Sequence, residues 1–320
     1  MVGVGVQRKE VQMHIFITGG TGLIGRRLCR HWSAAGHRLT VLSRRPERVA
    51  ELCGREVRGV SSFEAVGDEQ VDAVVNLAGE PIAERPWTSR RKALLWDSRV
   101  RLTERLVEWL EGRSQRPSVL ISGSAVGWYG DAGERPLDEG SAAAGEDFAS
   151  ELCLAWEQIA MQAEGLGIRV VRLRTGLVLA PEGGFLARLV PAFRFGLGGQ
   201  LGNGRQWMSW VHIEDMIGLI DFLLQLSDAS GPYNACAPQP VRNRDFTRAL
   251  GQALHRPTLL GVPAFALRTL LGELSLLLLG GQRVEPRRLL EAGFVFRYND
   301  LPAALADVLA HRPAAAAHRH

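Results

Sequence analysis

A chain of 320 residues is long enough for one large domain or two closely joined ones, and 46% hydrophobic residues with 22% charged is the balance of a globular protein. The net charge is +4, but 38 basic and 34 acidic residues are scattered along the chain, and no basic block is interleaved with aromatics, which argues against a nucleic-acid partner. Cys29, Cys53, Cys153 and Cys236 stand far apart with no CxxC pair, which argues against a zinc site or a disulfide framework and fits a reducing, cytoplasmic setting.

Residues 1–12 are polar, carry Lys9 and Glu10, and lack the apolar run of a signal peptide. They read as a disordered or non-native extension ahead of Met13. From Ile15 to Gly25 the chain reads IFITGGTGLIG. An apolar β-prone run breaks into Gly19, Gly20, Thr21, Gly22, Leu23, Ile24 and Gly25, and an amphipathic helix with Leu28 and Trp32 follows. Strand, glycine turn and helix in that order form a dinucleotide-binding unit. The glycines allow a tight turn, backbone approach to a pyrophosphate, and close packing of helix on strand. Free N–H groups at the helix start, with the helix dipole behind them, favour the phosphate charge.

Strand two, from Arg38, closes on Ser43, Arg44 and Arg45. An acid is often found there, bonded to the adenosine ribose. Guanidinium groups grip a 2′-phosphate instead, so NADP(H) is preferred over NAD. A short strand is expected near residues 56–60, and a buried strand from Val71 ends in the turn Asn76, Leu77, Ala78, Gly79. A helix is expected from Trp87 to Leu110, with Lys92 and Arg99 along it. A strand at 118–122 leads to Ser124 and Tyr129, a helix spans residues 148–164, and a strand at 169–173 leads to Arg174-Thr-Gly176. This alternation predicts an α/β fold: a Rossmann-like, doubly wound parallel sheet. Residues 13–180 are the predicted cofactor domain, with 205–236 returning to it. Residues 181–204 and 237–310 are the predicted substrate cap, smaller and mostly helical. Asp215 is expected to cap the helix running to Leu226, and Asn243 the helix running to Leu254. The apolar run from Leu270 to Leu279 is too short to span a bilayer, and no membrane partner is expected.

Thr18 to Gly25, Asn76 to Gly79, Ser122 to Ser124 with Tyr129 and Gly130, and Arg174 to Gly176 resemble the successive motifs of extended short-chain dehydrogenases/reductases of the epimerase type. The segments NLAGEPI (76–82), LISGS (120–124), LRTG (173–176), FGLGG (195–199), WVHI (210–213) and LGGQR (279–283) are similar to the atypical branch called epimerase family proteins, the YfcH-like group. The resemblance runs from Met13 to about Leu309. It implies a Rossmann-like fold with NADP(H), a substrate cap, and a small C-terminal domain of unknown function at 257–310. It also implies an oxidoreductase or nucleotide-sugar epimerase activity on a small-molecule or nucleotide-linked polar substrate. Some relatives in plastids and cyanobacteria are linked to division.

The chain departs from the wider superfamily at the chemistry. That superfamily uses a Tyr as acid/base and a Lys four residues on, which lowers the phenol's pKa. The tyrosines here are Tyr129, Tyr233 and Tyr298, the lysines Lys9 and Lys92, and no YxxxK exists. The helix that would carry the pair holds Phe148 and Leu152, which can neither exchange a proton nor donate a hydrogen bond. Ser124 matches the family's catalytic Ser. Tyr129 is either a replacement acid or a packing residue. His212 is either an acid/base or, preferred, a satisfied structural histidine. Ser124, Tyr129 and His212 are the candidate catalytic residues. The candidate cofactor residues are the turn 19–25, Ser43, Arg44, Arg45, Leu77, Ala78, Gly79 and Arg99. Glu80 is weighed as a crevice residue, and of Arg172 and Arg174 one is expected to face the crevice and the other to pair outside. The alternative class is an NADP(H)-binding sensor or regulator that does not turn the cofactor over, which the loss of the Tyr–Lys pair motivates.

Overall fold

The computed structural model describes residues 12–311. The expected extension at residues 1–12 lies outside them apart from Gln12, and so does the Ala/His-rich tail from Pro313. Apolar residues alternate between two faces of a central sheet. Ile15 and Ile17 join one buried cluster while Phe16 joins the other. Ala73 and Val75 likewise oppose Val74, and Val119 and Ile121 oppose Leu120. Strands buried on both faces are typical of a parallel sheet covered by helices.

The sheet has seven strands: β1 His14–Thr18, β2 Arg38–Leu42, β3 Arg58–Val60, β4 Ala73–Asn76, β5 Val119–Ala125, β6 Arg169–Thr175 and β7 Gly231–Ala235. All run parallel, in the order β7-β6-β5-β4-β1-β2-β3. Parallel neighbours need crossovers, and helices that include Leu23–Ala34, Leu102–Glu111, Phe148–Met161 and Ile213–Gln225 supply them. The order reverses at β1, whose neighbours are β2 and β4. Ligands of such sheets bind beyond the carboxyl ends of the strands at that switch point. This is the Rossmann-like sheet that the motifs predict, with a largely helical C-terminal region.

That region holds the helices Gly184–Arg194, Asn243–Ala253, Ala264–Leu271 and Leu301–Ala310. Leu179, Phe193, Trp210, Phe246 and Leu305 form its own buried cluster. A short ladder ties it to the sheet domain, Pro136–Leu137 pairing with Arg283–Val284, while Leu177–Leu179 pairs with Trp210–His212 at the border. Arg27 on the first helix reaches Glu182 at 2.8 Å and Glu214 at 2.5 Å.

Several local expectations are corrected. The helix predicted at 87–110 begins at Ser89, where the Thr88 hydroxyl accepts from the Arg91 N–H, and its middle, Asp97–Arg101, widens into a π-turn. Asp215 is not a cap: His212 caps Ile213–Gln225, while the Asp215 carboxylate accepts the Arg297 and Tyr298 N–H groups at 2.7 and 3.0 Å. Asn243 lies inside its helix, and its Oδ1 accepts from the Leu201 N–H. In both cases a side chain able to cap locally is taken by a distant backbone segment. The helix Gly184–Arg194 lies in the segment expected to be mostly helical. The run from Leu270 to Leu279 is broken, with Leu274 buried and Leu270 and Leu276 exposed.

Candidate active site

The glycine turn is close-packed backbone. A Cβ on Gly19, whose φ is +72°, would lie 2.5 Å from the Leu77 carbonyl carbon and oxygen. A Cβ on Gly25 would lie 2.3 Å from the Gly19 oxygen. Gly22 caps the helix Leu23–Ala34 without any side-chain hydrogen bond, so the first-turn N–H groups are left without a side-chain acceptor. Such an end, opening at the switch point, fits a pyrophosphate. Thr18 and the Leu77-Ala78-Gly79 turn hold each other. The Thr18 hydroxyl donates to Asn76 Oδ1 at 2.6 Å and accepts from the Ala78 N–H at 3.3 Å. Asn76 in turn donates to Thr103 at 2.9 Å and Ser122 at 3.2 Å, so one buried amide sets the rim of the crevice.

Charged groups stand around this rim. Ser43 accepts from the Arg45 N–H, and Arg45 is exposed. Arg44 bonds Glu80 at 2.9 Å although its side chain is 91% exposed. The π-turn tucks Arg99 beneath Gly79, where a Cβ would come within 2.9 Å of the guanidinium. Arg99 donates to the Glu80 carbonyl at 2.9 Å and lies over the Trp156 ring. Burial pulls its pKa below the ordinary arginine value. Lys92 does not join this group: it pairs with Glu273 and sits over the Phe148 ring.

Beyond β5 the structure brings together residues that lie far apart in the sequence. The Ser124 hydroxyl donates to Glu157 Oε1 at 2.7 Å. Arg174 holds Glu157 by a two-pronged bond, Nε to Oε1 at 2.8 Å and Nη2 to Oε2 at 3.0 Å. Arg174 also donates to the Tyr129 hydroxyl at 3.1 Å and stacks on the Trp128 ring at 3.4 Å. Tyr129 donates to Asn234 Oδ1 at 2.7 Å, and the Asn234 N–H donates to Glu139 at 2.9 Å. Residues two apart in a strand share a face. Arg172 therefore also approaches Glu157, at 3.6 Å, and the expectation that one arginine of the pair turns outward is corrected. Glu157 is a residue that the motifs do not single out. Its signal is an acid on the buried stripe of the helix Phe148–Met161, which runs through Ala149, Cys153 and Ala160.

The network decides what its members can do. Burial pushes the Tyr129 phenol up to about 12, even with Arg174 beside it, so it remains protonated at neutral pH. Tyr129→Phe would strand Asn234 Oδ1 and cost about 1–3 kcal/mol in urea unfolding. A loss below about 0.5 kcal/mol would mean that the hydroxyl closes no network. His212 lies elsewhere, in the packing between the sheet and the helical C-terminal region. Its Nδ1 accepts from the Glu214 N–H, its ring stacks on Tyr298 at 3.8 Å, and burial lowers its pKa. Nε2 is 3.2 Å from Asp307 Oδ2 but poorly aligned for a hydrogen bond.

The model of the NAD dependent epimerase/dehydratase family matches residues 15–236, and a domain of unknown function, DUF1731, matches residues 262–308. The chain belongs to the NAD-dependent epimerase/dehydratase family. It is 37% identical to the epimerase family protein YfhF of Bacillus subtilis over 94% of this chain and 99% of that one. It is 42% identical to the epimerase family protein Mb2239 of Mycobacterium bovis over 91% and 96%. The crystal structure of human epimerase family protein SDR39U1 (isoform 2) with NADPH superposes with a TM-score of 0.86 and 32% identity, covering 93% of this chain and all (100%) of that one. A nucleoside-diphosphate sugar epimerase from Corynebacterium glutamicum has a TM-score of 0.75 and 32% identity, and this chain spans 60% of that longer protein. The family and its Rossmann-like nucleotide-binding fold are thereby established for this chain. No helix among the described residues is long and apolar enough to cross a membrane.

Proposed function

We propose that this protein binds NADP(H) along the glycine turn, and that it acts as an oxidoreductase or epimerase on a small or nucleotide-linked polar substrate held under the cap of residues 181–204 and 237–310. One observation carries the reading: an uncapped helix N-terminus opens onto a glycine cradle at the switch point of the sheet, with Arg44 and Arg99 on its rim. Human SDR39U1, crystallised with NADPH, supports the same cofactor here.

The backbone N–H groups of Leu23 and Ile24 would hold the pyrophosphate, and Leu77, Ala78 and Gly79 would line the adjoining wall. Ser43, Arg44 and Arg45 would hold the 2′-phosphate, with Arg44 leaving Glu80 to do so. Bound there, the nicotinamide would supply hydride transfer. Ser124, at the carboxyl end of β5, is the residue we assign to the substrate. Its proton is committed to Glu157, so toward a substrate hydroxyl its oxygen would act as a hydrogen-bond acceptor. Glu157, held by Arg174, is a positioning residue for that oxygen.

The test is calorimetric titration with NADPH and NADH. Tight NADPH and weaker NADH are expected, and no heat with either would end the reading. Arg44→Ala is expected to weaken NADPH by about tenfold or more while sparing NADH, because a charge-assisted bond is worth about 1.5–3 kcal/mol. An equal change for both cofactors would remove Arg44 from the 2′-phosphate site.

A second reading, an NADP(H) sensor without turnover, is favoured by one specific observation. Tyr129 is locked in the buried network, and the family resemblance implies that Phe148 stands where the superfamily's phenol would. A substrate-dependent absorbance change at the nicotinamide band that is lost in Ser124→Ala would exclude it.

A further inference from the structure

One side of the cap leaves large apolar side chains in water. Phe195 is 81% exposed, Leu259 88% and Phe265 71%, with Leu197 and Leu260 also more than half exposed at 61% and 54%. They belong to one continuous surface. The Val262 N–H donates to the Gln200 carbonyl at 2.9 Å and the Gly202 N–H to the Val262 carbonyl at 2.8 Å, so the two loops run side by side. Pro263 then leads directly into the helix Ala264–Leu271, in which Leu267 alone is buried. Single exposed apolar residues are ordinary, whereas a contiguous patch marks an interaction surface.

The charge of the same surface selects the partner. The sequence has no Asp or Glu between Glu182 and Glu214, and none between Asp245 and Glu273. Arg194 precedes Phe195, and Arg256 Nε donates to the Arg194 carbonyl at 2.8 Å. Arg194, His255 and Arg256 line an open groove of about 720 Å³ together with the half-buried Leu254 and Leu309. Among the described residues neither Arg194 nor Arg256 makes an ion pair, while Arg188 pairs with Glu84 and Arg242 with Glu134. A second copy docked through this face about a two-fold axis would bring the unpaired cations of both copies into one interface with no acid to meet them. A bilayer of anionic lipid matches both halves of the surface, with headgroup phosphates for the arginines and the interfacial layer for the aromatic and leucine side chains.

We propose that the cap face formed by residues 194–201 and 255–270 docks this protein on anionic membrane surfaces. The expectation of no membrane partner rests on the lack of a spanning segment, and lying on a bilayer places a different demand on the chain. Phe195, Leu259 and Phe265 enter the headgroup boundary, and Arg194 and Arg256 neutralise lipid phosphates. This inference is independent of the chemistry assigned to the crevice.

Flotation of the full chain with vesicles tests it. The protein is expected to float with vesicles of phosphatidylcholine plus phosphatidylglycerol, to be released as salt rises, and to stay behind with phosphatidylcholine alone. Arg194→Gln and Arg256→Gln should each weaken binding about fivefold, and Phe195→Ser by roughly tenfold. All three positions are exposed, and unchanged NADPH titration in each variant will report an intact fold. Failure to float with anionic vesicles, equal partition into both vesicle types, or indifference to all three substitutions would overturn the proposal. So would a concentration-dependent dimer, seen by light scattering, that Phe195→Ser abolishes, because the face would then belong to a second copy.

Discussion

Glu157→Leu is expected to destabilise the protein by about 3–5 kcal/mol in urea unfolding, because it leaves a buried guanidinium without its carboxylate. Both partners are almost completely buried, with side-chain exposures of 3% for Arg174 and 4% for Glu157. Burial works against the Arg174 charge, but the bonds and charge of Glu157 outweigh it and hold its pKa above the ordinary value. Water cannot replace the missing carboxylate at such a depth, and Trp128 stacking supplies only part of the lost interaction. Removing both charges, as Glu157→Leu with Arg174→Met, should cost less than Glu157→Leu alone, since an uncompensated buried charge is worse than none. A double variant as unstable as the sum of the two single ones would show that the pair is not coupled. NADPH affinity should change little in Glu157→Gln, because this network lies beyond β5 and not in the glycine cradle. Any turnover should fall further in Glu157→Leu, which leaves the Ser124 hydroxyl without the acceptor that a glutamine oxygen can still supply.

Gly25→Ala and Gly22→Ala are expected to part company, and the difference separates packing from ligand space. At Gly25 the added methyl meets the Gly19 oxygen at 2.3 Å and the Gly20 Cα at 2.6 Å. Both are backbone atoms, so helix and strand must move apart, at a cost of about 1–3 kcal/mol. NADPH binding should fall with stability. At Gly22 the nearest atom is the Gly19 oxygen at 3.1 Å, and φ is −76°, a conformation that alanine adopts without strain. Stability should fall by no more than about 1 kcal/mol, since the Gly19 oxygen must give a little and alanine caps a helix less well than glycine, against a smaller entropy of the unfolded chain. NADPH affinity should still drop by roughly tenfold, because the methyl stands where backbone must approach a pyrophosphate. Measured side by side by urea unfolding and calorimetry, a Gly22→Ala variant with full affinity would place the phosphates away from this helix end.

The parts of the molecule that were legible in the sequence are those built from neighbouring residues. The strand, glycine turn and helix at 14–34 follow from local conformational freedom and one hydrophobic period, and so does the alternation that produced the parallel sheet. The missing Tyr–Lys pair was equally visible, because its test is a fixed spacing on one helix. The links between distant segments were not. Ser124 with Tyr129, Glu157, Arg174 and Asn234 come from four stretches of chain and meet only because β5, β6 and β7 lie side by side against the helix Phe148–Met161. Asp215 and Asn243 carry the composition of caps, yet the Arg297 and Leu201 N–H groups, far away in sequence, took their buried side chains, because a polar side chain buried there must find a partner. The basic and apolar face of residues 194–201 and 255–270 was hidden in a total of charge that looks ordinary, because charge and burial acquire positions only when the chain is folded. Sequence alone therefore determined which ligand class the crevice suits, through backbone geometry. Tertiary structure alone decided which side chains stand together in it, because a hydrogen bond across 105 residues leaves no period to read.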